Sequence, residues 1–247
     1  MKWYTQQIDN SLEIVLPAYN EGATIRSAVE RIVHVFSDAQ VDFAIHVVLD
    51  GPDLHAEKEL QSFASPFVRY SVLPKNQGKG SALRFGAKQA KAGYVAFLDA
   101  DLDIHPISLA AALEKLQQLG DPLVVGAYGS KFLRESEVDY PIIRKIASGT
   151  FRRLVRVLFD IDIQDSQTGM KVFKSGPLHQ ILDRSSEERF LFDIEIFSLL
   201  AKSGYQFIPI PVQIKYQYTS TINIVGSFRM LFETLVLAKR LKSASYK

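Results

Sequence analysis

Hydrophobic positions fall along this chain in two rhythms. Leu12 to Ala18 is a short apolar run, and Ile25, Ala28, Val29, Ile32, Val33 and Phe36 then follow at helical spacing, which predicts a strand, a loop and a helix. The succession recurs: strands are predicted over Phe43 to Leu49, Phe67 to Leu73 and Tyr94 to Leu98, and helices over Glu57 to Phe63, Ser81 to Lys91 and Ile107 to Leu119. Such alternation predicts an α/β fold with a mainly parallel sheet and helices on both faces.

After the apolar run Leu123 to Ala127 the character changes. Ile142 to Phe159 has a helical pattern studded with arginine and lysine, Asp160 to Gly169 is polar, and a further helix is predicted near Phe190 to Lys202. Tyr205 to Ile214 is broken by Pro209 and Pro211 and predicts an edge strand, because proline cannot donate to an internal ladder. A last helix is expected over Ile224 to Lys242. The one plausible boundary lies near residues 215 to 222, giving a domain over residues 1–215 and an amphipathic helical appendage over residues 216–247.

Composition narrows the class. Hydrophobic residues make up 47% and charged residues 23%, the proportions of an ordinary globular protein. A net charge of +2 is too slight for a nucleic-acid binder on global grounds, so no nucleic-acid partner is expected. The absence of cysteine excludes disulfides, thiolate metal sites and cysteine nucleophiles, and fits a cytoplasmic protein. Met1 to Gln7 does not read as a signal peptide, and the best apolar stretch, Ile222 to Ala238, carries Arg229 and Glu233, so no span is expected.

In sheets of this kind ligands sit beyond the carboxyl ends of the strands. Those ends read Pro17-Ala18-Tyr19-Asn20-Glu21-Gly22, Asp50-Gly51-Pro52-Asp53, Lys75-Asn76-Gln77-Gly78-Lys79-Gly80 and Asp99-Ala100-Asp101-Leu102-Asp103. Strand alternation would aim Asp99 and Asp101 to one side, where two carboxylates suit a hard cation, Mg2+ or Mn2+, that completes its shell with water and phosphate. Asp103 is a third candidate ligand or, equally, a polar turn residue ahead of the helix starting at Pro106. The glycines around Lys79 would let backbone amides approach an anion, or simply form a turn. Asp50 and Glu21 could accept hydrogen bonds from ribose hydroxyls, or cap helices.

These four rim motifs together resemble a family 2 glycosyltransferase with the GT-A fold, closest to the dolichyl- and polyprenyl-phosphate glucose and mannose synthases. Val15 to Glu21 is similar to that family's nucleotide-binding loop, Asn76 to Gly80 to its second signature, and Asp99 to Asp103 to its metal motif. Arg144-Lys145 with Ser148, Asp165 to Phe173, and Phe192-Asp193-Ile194-Glu195 extend the resemblance to about Val212.

The resemblance implies that Pro17, Tyr19, Glu21 and Asp50 hold the nucleoside, with Asn76, Lys79, Gly80 and Ala100 also on the donor. It implies that Asp99 and Asp101 hold metal and diphosphate, and that Arg144 meets a phosphate near the acceptor. Asp101 and Asp103 are then candidates for the chemistry. Two departures stand out: Asp50-Gly51 replaces the family's frequent paired aspartates, and Tyr216 to Thr221 replaces a basic segment of the mannose synthases. The forms of residues 165–169 and 192–195 look closer to the glucose synthases, which use UDP-glucose.

The implied activity is an inverting transfer of a hexose from a nucleotide-diphospho-sugar to a polyprenyl phosphate. A lipid-phosphate oxygen is already anionic and needs positioning more than a base. A sugar-hydroxyl acceptor, the alternative, would need a carboxylate, for which Asp193, Glu195 and Asp165 are candidates. The stripe Ile143, Ile146, Ala147, Thr150, Phe151, Leu154 and Leu158, with Lys145, Arg152 and Arg156 opposite, suits either a membrane interface or packing on the core. With Phe228, Leu231, Phe232 and Leu235 it would hold the protein peripherally on a cytoplasmic membrane face. A non-catalytic basic module binding membranes or nucleic acid through residues 144–156 is the reading of another class. Oligomeric state is left open.

Overall fold

A computed structural model describes residues 10–39, 41–138, 142–214 and 224–243, with backbone alone over 142–148 and 224–229. The strands are β1 (Leu12–Ala18), β2 (Phe43–Leu49), β3 (Val68–Val72), β4 (Tyr94–Leu98), β5 (Val124–Ser130), β6 (Glu137–Val138), β7 (Met170–Lys174), β8 (Gln206–Pro211) and β9 (Gln213–Ile214). The helices are α1 (Ile25–Asp38), α2 (Leu54–Ser62), α3 (Lys79–Gln89), α4 (Pro106–Leu119), α5 (Ile142–Phe159), α6 (Ser175–Leu182), α7 (Phe192–Lys202) and α8 (Ile224–Ser243).

The main sheet runs β3-β2-β1-β4-β7-β5-β8. β1 pairs in parallel with β2 and β4, β2 with β3, and β5 with β8, whereas β7 runs antiparallel to both of its neighbours. β6 and β9 form a small parallel pair apart from it. Alternation along β1 sends Leu12, Ile14, Leu16 and Ala18 into one core with Ile25, Val29, Leu109 and Leu113, and Val15 into a second with Leu83, Ile194 and Phe197. Two cores on two faces is the expected layering.

Local chemistry sets the helix ends. The Asp53 carboxylate accepts from the amides of His55 at 3.1 Å and Ala56 at 3.0 Å and starts α2. Pro106 opens α4, and Gly120, at φ 62°, ends it. α7 is buried along its whole circumference from Phe192 to Leu200, as befits a central helix of the second layer.

Three expectations are refined. β8 does lie at the sheet edge, with Pro209 opposite Tyr128. β7 and α6 fall where no regular element was expected: Met-Lys-Val-Phe-Lys shows too little contrast to read as a strand, yet Lys171 is buried. One side of α5 packs on protein, for Val155 and Phe159 are buried in the second core with Phe151 and Leu158 against it, while Arg153 and Val157 are exposed. Arg152 lies over the Phe132 ring at 4.4 Å, and Arg156 pairs with Asp162 at 2.7 Å. The side chains of Ile143, Ile146, Ala147 and Phe228 lie outside the described residues.

Candidate active site

β4 leaves the sheet at Leu98, and Asp99 is pinned there because its amide donates to the Gly169 carbonyl at 3.0 Å. The chain then turns, with the Leu102 amide on the Asp99 carbonyl at 3.2 Å and Leu102 itself at φ 49°. The Asp103 amide donates to Asp101 Oδ1 at 3.2 Å. Asp101 therefore owes its place to this turn and not to strand alternation, which stops at Leu98. Leu102 packs against the first core, which helps to hold a backbone conformation that non-glycine residues rarely adopt.

The three carboxylates work against one another. Burial, and then Asp99, hold the Asp101 carboxyl above its usual range, and burial followed by Asp101 and Asp99 pushes Asp103 up to about 6. Lys79, the first residue of α3, answers this charge with its Nζ 2.5 Å from Asp99 Oδ1. Burial pulls the Lys79 ammonium down, but Asp99, Asp193 and Asp101 together outweigh it and raise it, so the group stays charged.

A second buried pair lies behind the first. Lys171 Nζ is 3.0 Å from Asp193 Oδ2 and also donates to the Thr168 carbonyl. Burial pushes Lys171 down, and Asp193 only partly offsets it. Among the described residues, buried Asp193 Oδ1 has no hydrogen-bond partner. An orphaned carboxylate oxygen is costly unless something donates to it.

An oxygen-only set of carboxylates suits a hard divalent cation, and Mg2+ or Mn2+ needs only one or two of them. Among the described residues no three acidic or histidine side chains converge closely enough to hold an ion; Asp101 Oδ1 accepts from the Asp103 amide and Asp99 pairs with Lys79.

The glycine loop commits several of its amides within the protein. The Gln77 and Gly78 amides donate to Asp50 at 2.7 and 2.8 Å, and the Ser81 amide to the Glu188 carbonyl at 3.0 Å. A Cβ on Gly78 would meet the Glu188 carbonyl oxygen at 2.4 Å, and one on Gly80 would meet Phe192 Cβ at 2.6 Å. These glycines admit the chain from Glu187 to Phe192. Asp50 braces the loop with both of its oxygens, and the Lys79 side chain carries the positive charge to the rim.

Other expected residues are scattered in role. Tyr19 is exposed on the rim beside half-buried Pro17, Glu21 accepts from Thr24 Oγ1 at 2.6 Å, and Asn76 is exposed. Ala100 is buried in the first core. Glu195 faces away from the rim: its Oε2 accepts from the Ser186 and Glu187 amides at 2.9 and 2.8 Å, and its Oε1 pairs with Arg240 at 2.8 Å. Asp165 is buried 3.3 Å from Lys131 Nζ. The side chains of Arg144, Lys145 and Ser148, and all of Tyr216 to Thr221, lie outside the described residues. Sequence reasoning gave no role to Lys171 or Lys131, since a buried lysine reads like a solvated one until its partner is known.

A mainly parallel sheet with one reversed strand and an acidic turn beyond β4 is the architecture of the GT-A glycosyltransferases. The fold is similar to glucosyl-3-phosphoglycerate synthase from Mycobacterium tuberculosis, crystallised with Mn2+, UDP and phosphoglyceric acid, at a TM-score of 0.68 and 18% identity, covering 92% of this chain and 78% of that one. It is also similar to mannosyl-3-phosphoglycerate synthase from Rubrobacter xylanophilus, at a TM-score of 0.61 and 14% identity over 96% of this chain and 75% of that one.

The chain belongs to glycosyl transferase family 2, whose sequence profile matches residues 13–182, and is a glycosyltransferase. That sets aside the non-catalytic module. The chain is 25% identical over 239 residues to dolichyl-phosphate beta-glucosyltransferase ALG5D of Trichomonas vaginalis, covering 92% of this chain and 72% of that protein. It is 24% identical over 222 residues to glycosyltransferase AglD of Haloferax volcanii, covering 87% of this chain but only 34% of AglD's length.

Proposed function

We propose that this chain is a metal-dependent, inverting hexosyltransferase that moves glucose from UDP-glucose to a polyprenyl or dolichyl phosphate, with GDP-mannose as the alternative donor. The observation that carries this reading is the Lys79–Asp99 pair at 2.5 Å, set at the end of β4 beside Asp101. The names of the ALG5 relatives support the acceptor, and the UDP-bound structural neighbours support the donor.

Asp99 and Asp101 would hold Mg2+ or Mn2+, which supplies charge compensation to a departing diphosphate when bound. Lys79 is a fixed cation aimed at the same charge. Tyr19 offers an exposed ring on which a base stacks, and Glu21 an acceptor for ribose. Arg144 would meet the acceptor phosphate, whose oxygen attacks the anomeric carbon from the face opposite the diphosphate without needing a base. The transferase domain is assigned to residues 1–215 and the appendage to 216–247. Phe232, Leu235 and Val236 are exposed on α8 beside Lys239 and Lys242, a surface suited to peripheral binding at a cytoplasmic leaflet.

A second reading, transfer to a hydroxyl, draws on Asp193, whose Oδ1 has no partner among the described residues and would serve as the proton acceptor near Lys79. The two separate on incubation with labelled UDP-glucose, Mn2+ and vesicles containing polyprenyl phosphate. Label should enter the organic phase, and Asp99→Ala and Asp101→Ala should abolish this while melting like the wild type. Unchanged turnover in both variants sinks the metal assignment, and label confined to water-soluble product sinks the lipid acceptor.

A further inference from the structure

Residues 183–191, between α6 and α7, are tied down by groups that the donor reading leaves idle. Arg84 donates to the carbonyls of Ser185, at 3.2 Å, and Glu187. Ser81 N donates to the Glu188 carbonyl, Glu195 accepts the Ser186 and Glu187 amides, and Gln167 Nε2 donates to the Phe190 carbonyl at 3.3 Å.

A further tie comes from α8. Arg240 Nη2 lies 2.8 Å from Glu187 Oε1 and 2.8 Å from Glu195 Oε1. Glu195 is only 1% exposed, so removing its cation strands a buried charge. On the outer side a cleft of about 330 Å³ separates Glu187, Glu188 and Arg189 from Phe232 and Val236. Arg240 stands one turn beyond Val236 and spans from α8 to the loop.

The backbone held in this way rests on the first turn of α3. The Glu187 and Glu188 carbonyls press on Gly80 and Gly78 closely enough to exclude a Cβ from either, and Lys79 sits between them. Movement of this loop therefore moves the residue whose ammonium meets Asp99.

We propose that Arg240 is a positioning residue for the donor site: through Glu187 and Glu195 it holds loop 183–191 on the start of α3 and thereby sets Lys79 against Asp99. This rests on the nucleotide-sugar reading, but it assigns to the C-terminal helix a function inside the donor half of the molecule.

The test compares wild type, Arg240→Ala, Arg240→Lys, Lys79→Ala and the Arg240→Ala/Lys79→Ala double variant. UDP affinity is read by calorimetry with Mn2+ present, and amide hydrogen exchange is read over residues 77–82 and 185–190. Arg240→Ala should weaken UDP binding about 10-fold and speed exchange in both segments, while adding little to Lys79→Ala, because coupled residues are not additive. Arg240→Lys should recover most of the affinity, since it restores a cation beside Glu195. If Arg240→Ala fails to fold, Glu187→Gln removes the exposed arm of the tether, leaves Glu195 paired and serves in its place. An undiminished affinity, or the same loss in the Lys79→Ala background, overturns the proposal alone. A wild type that binds no UDP overturns the donor reading with it.

Discussion

Gly169 stands so close to Asp99 that a methyl group there would meet its Oδ2 at 2.3 Å. The obstructed atom is the end of a side chain and can swing aside, so Gly169→Ala should keep its fold. Displacing a reacting-site carboxylate by about 1 Å costs on the order of 100-fold in rate, and turnover assays paired with thermal melts should show that split. Gly78→Ala should fail differently: its Cβ meets the Glu188 backbone, and φ is +103°. A loss of about 2 kcal/mol or more of stability is expected in denaturant unfolding.

His46 sets a pH dependence. It is fully buried with Nε2 2.9 Å from Ser71 Oγ, and burial followed by Arg69 lowers its pKa from 6.5 to about 4. The folded state thus resists the proton that the unfolded chain accepts, so its contribution is whole above 6.5 and drains away as pH falls toward 4. At pH 5 the loss is about 2 kcal/mol. His46→Gln should lower stability at pH 7 yet flatten its decline between pH 7 and 5, and an identical slope in both proteins refutes this. Residue types at the rim were legible, for Asp99, Asp101 and Lys79 do share one corner. Their partners were not, because the amides of Gln77 and Gly78 go to Asp50, 27 and 28 residues earlier, and that of Ser81 to the Glu188 carbonyl, on chain that returns more than 100 residues later.

At the scale of elements, periodicity recovered β1, β2, β4 and α5 to the residue, since each carries a clean run or stripe. It missed β7, whose two lysines mask a strand buried between β4 and β5, and α6, which is too short to show a period. α8 faces two ways: Leu237, Ala238 and Leu241 are buried, and Phe232, Leu235 and Val236 are exposed. Leu241→Ala should cost about 2 to 4 kcal/mol. Phe232→Ser should leave the melting temperature unchanged and reduce sedimentation with anionic vesicles, whereas undiminished sedimentation assigns the lipid contact elsewhere.

Across the whole molecule, the layered α/β plan was legible because both faces of the sheet demand apolar runs. The single reversal within it was not, because strand direction leaves no mark on composition. UDP-glucose with Mn2+ should raise the melting temperature of the wild type and not of Asp101→Ala, since only a ligand of the native state stabilises it. That reversed strand governs assembly as well. β4 finds its outer neighbour only when Met170 to Lys174 reach it, with Tyr94 opposite Lys174. A nascent chain paused after α4 therefore bears a naked, strongly apolar border along Tyr94 to Leu98, and a fragment ending at residue 120 should precipitate where one ending beyond α6 stays in solution.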